Sequence, residues 1–116
     1  NRALGGGSWM YDAETGAGQV GVFDGFGLNN VGLYVRIFGT VTVKGPDYIY
    51  VDDGTGYDDG SGNGAGIRIV LSGLTNPITK TFVEGVTYVK GLSGLAGLDT
   101  GGVICIRPRS DADIQL

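Results

Sequence analysis

The run Leu33 to Gly56, LYVRIFGTVTVKGPDYIYVDDGTG, constrains the chain more than any other stretch. Leu33, Val35 and Ile37 alternate with Tyr34, Arg36 and Phe38, the period of two that marks a strand with one buried face. Gly39 interrupts the pattern without ending it, because Val41 and Val43 resume the alternation. A glycine inside a strand marks a bulge or a sharp bend, which lets one long strand serve two sides of a small barrel. Lys44-Gly45-Pro46-Asp47 then supplies turn chemistry, since proline fixes φ and aspartate bonds its own backbone. A second strand is expected over Tyr48–Asp52, followed by an acidic glycine turn.

The rest of the chain extends the same reading. Of 116 residues, 24 are glycine, far above the usual share of about 7%, and they follow no collagen period. No window of a dozen residues keeps an apolar i, i+3, i+4, i+7 pattern free of glycine, so helices are not expected. A third strand is expected over Ile67–Leu71, a fourth over Gly85–Gly91 and a fifth over Val103–Arg107, with Pro108 ending the last. Glycines 91, 94, 97, 101 and 102 read as the turn before the fifth strand. The segment 72–84 holds Gly73, Asn76, Pro77 and three threonines and reads as an irregular connector. The tail DADIQL is expected to add a short final pairing.

Residues 1–31 differ from the rest. GGG at 5–7, then Trp9, Met10 and Tyr11, then scattered glycines, make an irregular arm rich in glycine and aromatic residues. The expected division is therefore the arm, 1–31, and a barrel, 32–116. A long segment without regular structure is usually functional or a linker. Two readings follow for the arm: aromatics folded back over one end of the barrel, or a reach to a neighbouring copy. Gln19, Val20, Val22 and Phe23 lie in a segment that could pair as a strand, and Trp9 is a hydrophobic anchor.

Five strands with a long, bent first strand resemble the oligonucleotide/oligosaccharide-binding (OB) barrel. VRIFGTVT is similar to that family's first strand, IYVDDGTG to its second, IRIV to its third, VTYVKGLSG to its fourth and VICIRP to its fifth. The wording GLNNVGLYVRIFGTVT and VDDGTG looks like OB-type modules of secreted bacterial proteins. The resemblance covers residues 33–107 and implies an all-β, five-stranded Greek-key barrel. It departs from many members at 72–84, where they carry a helix. Ligands of such barrels generally lie across strands two and three. The resemblance therefore makes Tyr48, Tyr50, Arg68 and Arg36 a binding platform, provided that Ile49 and Val51 point inward. Aromatic faces stack on bases or sugars, and arginine grips phosphate or hydroxyl groups. The competing reading is that Tyr–Tyr and Tyr–Arg pairs across the strands stabilise the sheet.

Charge and missing residue types narrow the chemistry. The net charge of −4 opposes indiscriminate binding to nucleic-acid phosphates. Without histidine, the commonest general base and the commonest zinc ligand are both gone. Cys105, the single cysteine, sits in a strand-like run and reads as a buried, inert thiol. VDDGTGYDDGSGNGAG invites calcium, with Asp52, Asp53, Asp58 and Asp59 as ligands, although the spacing misses the twelve-residue EF-hand loop. The same residues dominate ordinary solvated turns, which is the preferred reading. No run of about 18 apolar residues marks a membrane span.

The expectation is a non-enzymatic, extracellular structural or interaction module with no cofactor, self-assembling into fibres through its amino-terminal arm. Its partners would be other copies of itself or neighbouring modules. Low lysine with abundant Gly, Thr, Asn, Asp and Tyr supports the extracellular placement, and a start at Asn1 fits a processed or excised form. The alternatives are an OB-type module binding single-stranded nucleic acid, which the charge disfavours, and a carbohydrate-binding accessory domain.

Overall fold

In the computed structural model, Leu4, Glu14 and residues 30–116 are described. Six strands follow one another: β1 (Tyr34–Lys44), β2 (Tyr48–Asp52), β3 (Ile67–Val70), β4 (Tyr88–Asp99), β5 (Val103–Arg107) and β6 (Ile114–Gln115). They pair in the order β1-β2-β3-β5-β4-β6, and a further pairing of β1 with β4 closes the first five into a ring. β3 and β5 run parallel, and every other pairing is antiparallel. Closure removes most of the exposed sheet edges that would otherwise seek partners. The fold is all-β. The expected final pairing of the tail is β6, which lies against Gly91 and Leu92 of β4.

β1 serves two sides of the ring because it bends. Its first half pairs with β4 from Tyr34 to Thr40, and its second half pairs with β2 from Thr40 to Lys44. The register with β4 slips between Ile37 and Gly39, where Gly39 takes φ 146°. A Cβ on Gly39 would run into the carbonyl group of Asp52 on β2. The bend therefore needs a residue without a side chain, both for its dihedral and for the close approach of the two strands.

Alternation along the strands fills the interior. Val41, Ile49, Val51, Ile67, Ile69, Ile104 and Ile106 are fully buried and join one cluster with Val89, Leu92, Ala96 and Ile114. Each large aliphatic side chain so placed contributes roughly 1.5–3 kcal/mol by leaving water. Tyr57 and Phe82 close the cluster from the loops, and Leu4 joins it from far outside the barrel sequence.

Three sequence expectations differ from the structure. The fourth strand is not Gly85–Gly91 but the longer Tyr88–Asp99, so Gly91, Gly94 and Gly97 lie inside it and not in a turn. The third strand ends at Val70, one residue earlier than expected, although the Leu71 amide still donates to the carbonyl of Asp47, the residue opposite it, at 2.8 Å. Leu33 is 58% exposed and precedes β1, whereas Val35 and Ile37 face the core as expected.

Candidate binding surface

The outward residues of four strands form one row. Tyr50 on β2 stands opposite Arg68 on β3, Arg68 opposite Cys105 on β5, and Cys105 opposite Gly97 on β4. Tyr48 joins the row from the end of β2. The Arg68 guanidinium lies 4.5 Å from the centre of the Tyr48 ring, and the Tyr48 and Tyr50 rings meet edge to face at 5.9 Å. Both contacts are favourable in themselves, the first through the ring quadrupole and the second through edge-to-face packing.

Acid and base meet on the same face. Asp99 at the end of β4 pairs with Arg68 at 3.5 Å and with Arg107 at 3.8 Å. Arg107 also donates to the Cys105 sulfur at 2.9 Å. It passes over Gly97, where a Cβ would stand 3.1 Å from its Nη1 atom. Cys105 is thereby fully buried although it faces away from the core cluster. Burial pushes its thiol above the usual range, against the opposing pull of Arg107, so the thiolate is scarce at neutral pH. The Arg68 Nε atom is buried without a hydrogen-bond partner among the described residues.

The acidic glycine loop decides what this face can offer. Tyr50 is fully buried, although the sequence placed it on an open platform. Its hydroxyl donates to Asp59 Oδ2 at 2.9 Å, lies 3.1 Å from Ser61 Oγ and accepts from Asn63 Nδ2 at 3.4 Å. Asp59 is itself only 5% exposed. Burial raises the pKa of Tyr50 above its ordinary value, with Asp59 adding to the rise. The platform expected from the sequence is thus partly roofed, and Arg36 is not in it. Arg36 lies elsewhere on β1, donating to Gln115 Oε1 of β6 at 2.7 Å.

The carboxylates proposed for calcium serve their own turns. Asp52 accepts from the Gly56 amide, Asp53 from the Thr55 amide and hydroxyl, Asp58 from the Gly60 amide and Asp59 from the Ser61 amide. These are the short-range side-chain to backbone bonds that favour Asp in tight turns. Among the described residues, no three Asp, Glu, His or Cys side chains converge on one point. Trp9, Gln19, Val20, Val22 and Phe23 lie outside the described residues.

Sequence reasoning missed Asp99 and Arg107. Arg107 was legible, since VICIRP puts it on the same strand face as Cys105. Asp99 was not, because its strand read as a glycine turn. Leu4 carried no signal, standing alone in NRALGGG. No family model, curated protein or solved structure matches the chain.

A second surface adjoins the first where β1 and β4 pair. Tyr34 stands directly opposite Leu95, and Thr40 opposite Tyr88. Tyr34, Phe38, Tyr88 and Leu95 are 52, 55, 51 and 48% exposed. β1 and β4 therefore each present large side chains to solvent.

Proposed function

We propose that this chain is a non-enzymatic, extracellular structural module that assembles with copies of itself through its amino-terminal arm. The observation that carries the reading is the exposure of four large side chains on β1 and β4, Tyr34 and Leu95 at one end of their pairing and Phe38 and Tyr88 towards the other. Apolar side chains left exposed on paired strands are the material of an interaction site when they form a patch of several hundred Å². The ring supplies rigidity, and a contact between unlike surfaces of successive copies propagates into a fibre when it does not close.

The frame for this module is an OB-type Greek-key barrel. Support comes from the order β1-β2-β3-β5-β4 with closure onto β1, the parallel pairing of β3 with β5 and the long bent first strand. A nucleic-acid or carbohydrate platform at Tyr48 and Arg68 is the weaker reading. Tyr50 is roofed by the acidic loop, and both arginines of the face are paired with Asp99.

Electron microscopy and light scattering of the native protein across a range of concentrations test the assembly reading. Regular fibres or an open-ended size distribution are expected. A monodisperse monomer at high concentration overturns it.

A further inference from the structure

The loop that roofs Tyr50 carries the only Asn-Gly pair in the sequence, Asn63-Gly64. Each member has a structural reason to be there. Gly64 takes φ 133°, and a Cβ on it would stand 2.8 Å from Cγ2 of Val43, so the position is held for glycine. Asn63 donates from Nδ2 to Ser61 Oγ at 2.9 Å and to the Tyr50 hydroxyl at 3.4 Å. The fold thus sets a side-chain amide directly before a residue that has no side chain to shield its own backbone nitrogen.

That pair is chemically reactive. The Gly64 nitrogen attacks the Asn63 side-chain carbonyl carbon and closes a cyclic imide, and the side-chain nitrogen leaves as ammonia with the proton that Gly64 gives up. Water then opens the imide at one of its two carbonyls, leaving aspartate or isoaspartate. No oxidant, reductant or cofactor is consumed. Asn63 and Gly64 are both exposed, and among the described residues the Gly64 amide donates no hydrogen bond. Gly60, Gly62 and Gly64 all take positive φ, so the loop can bring the two atoms together with few side chains in the way.

The product no longer suits its surroundings. The Tyr50 hydroxyl has one proton, which it donates to the buried Asp59, and it accepts from the Asn63 amide. A carboxylate at position 63 can only accept, and it sets a second negative charge beside Asp59. Isoaspartate also lengthens the main chain by one methylene between positions 63 and 64. We propose that Asn63-Gly64 is a modification site whose spontaneous deamidation irreversibly releases the acidic loop from Tyr50. The step needs only water and is independent of assembly.

Ageing the full chain in mildly alkaline buffer at physiological temperature tests the site. Peptide mapping is expected to find a gain of about 1 Da at Asn63, from exchange of the amide NH2 for a carboxyl OH. Conversion should be at least about tenfold faster than at Asn29 and Asn30, which precede residues with side chains. Asn63→Gln should stay unmodified, since its longer side chain closes an imide far more slowly. Tetranitromethane reads the release. In fresh protein it should nitrate Tyr34 and Tyr88, which are exposed, and spare Tyr50 and Tyr57, which are fully buried. In aged protein and in Asn63→Asp, nitration of Tyr50 should rise at least about tenfold while Tyr57, in the core cluster, stays spared. Asn63 surviving intact in the folded chain while the urea-unfolded chain converts overturns the site. Deamidation that leaves Tyr50 as protected as before overturns the release, and so does nitration of Tyr57 together with Tyr50, which marks general unfolding.

Discussion

The Tyr50 hydroxyl donates to Asp59 at 2.9 Å, and this bond pins the acidic glycine loop onto the outer face of the barrel. Both partners are buried, Tyr50 fully and Asp59 to 5% exposure. Removing the hydroxyl with Tyr50→Phe leaves a buried carboxylate oxygen short of a donor, which costs about 1–3 kcal/mol. Urea unfolding is expected to show that loss with an unchanged m-value. The same bond sets an alkaline limit. Burial holds the folded pKa of Tyr50 above its ordinary 10.0. Stability from this group is therefore complete below about pH 10 and is lost as pH rises through the folded value. Tyr50→Phe should flatten that alkaline decline in a series of melting temperatures.

At the acid end the responsible group is Asp111. Its carboxylate accepts from Lys80 Nζ at 2.7 Å and from the Thr79 hydroxyl and amide at 2.8 and 3.1 Å. These bonds, that with Lys80 foremost, lower its pKa from 3.8 to about 2. A depressed folded pKa means that the contribution is present above the unfolded value and lost as pH falls from about 4 to about 2. Asp111→Asn should lower the melting temperature slightly at neutral pH and remove most of its own share of the acid decline. An unchanged slope between pH 4 and 2 would contradict the assignment.

Gly39 carries the bend of β1. Gly39→Ala places a Cβ against the Asp52 backbone at a φ of 146°, so neither neighbour can yield cheaply. A loss above about 3 kcal/mol is expected. Gly85→Ala is the control, since its φ of 71° costs only left-handed strain, roughly 1–2 kcal/mol, and a Cβ there meets open space. Denaturation midpoints of the two variants separate a collision from dihedral strain alone.

The face holding Tyr48 and Arg68 is expected to be spent on its own contacts. Single-stranded oligonucleotides titrated into the protein should show no binding that weakens steeply with salt. Tyr48→Ala should leave assembly unaltered and cost stability of roughly 1 kcal/mol through the lost arginine and tyrosine contacts. Salt-dependent binding abolished by Tyr48→Ala would restore the ligand platform.

Much of the ring is legible in the sequence. β2 and β5 fall where the sequence placed them, at Tyr48–Asp52 and Val103–Arg107, because Pro46-Asp47 and Pro108 bound short runs of alternating apolar residues. β4 was misread because its glycines have a different purpose. A Cβ on Gly91 would meet the Arg36 side chain, and one on Gly94 would stand 2.7 Å from the Arg107 carbonyl oxygen. Such glycines leave space for another strand's atoms. Nothing in their local sequence distinguishes that from a turn.

The face holding Tyr48, Tyr50 and Arg68 divides in the same way. Period two alone put Tyr48, Tyr50 and Arg68 on one outer surface, since side-chain alternation is a property of the extended backbone. The sequence by itself determined an all-β chain, the bend at Gly39 and the apolar face of each strand. These follow from local dihedrals and burial. Only the tertiary structure decided that the acidic loop covers Tyr50, that Asp99 pairs with both Arg68 and Arg107, and that Leu4 enters the core cluster. Those relationships join positions far apart in the chain, where a residue's own neighbours carry no information about what it will touch.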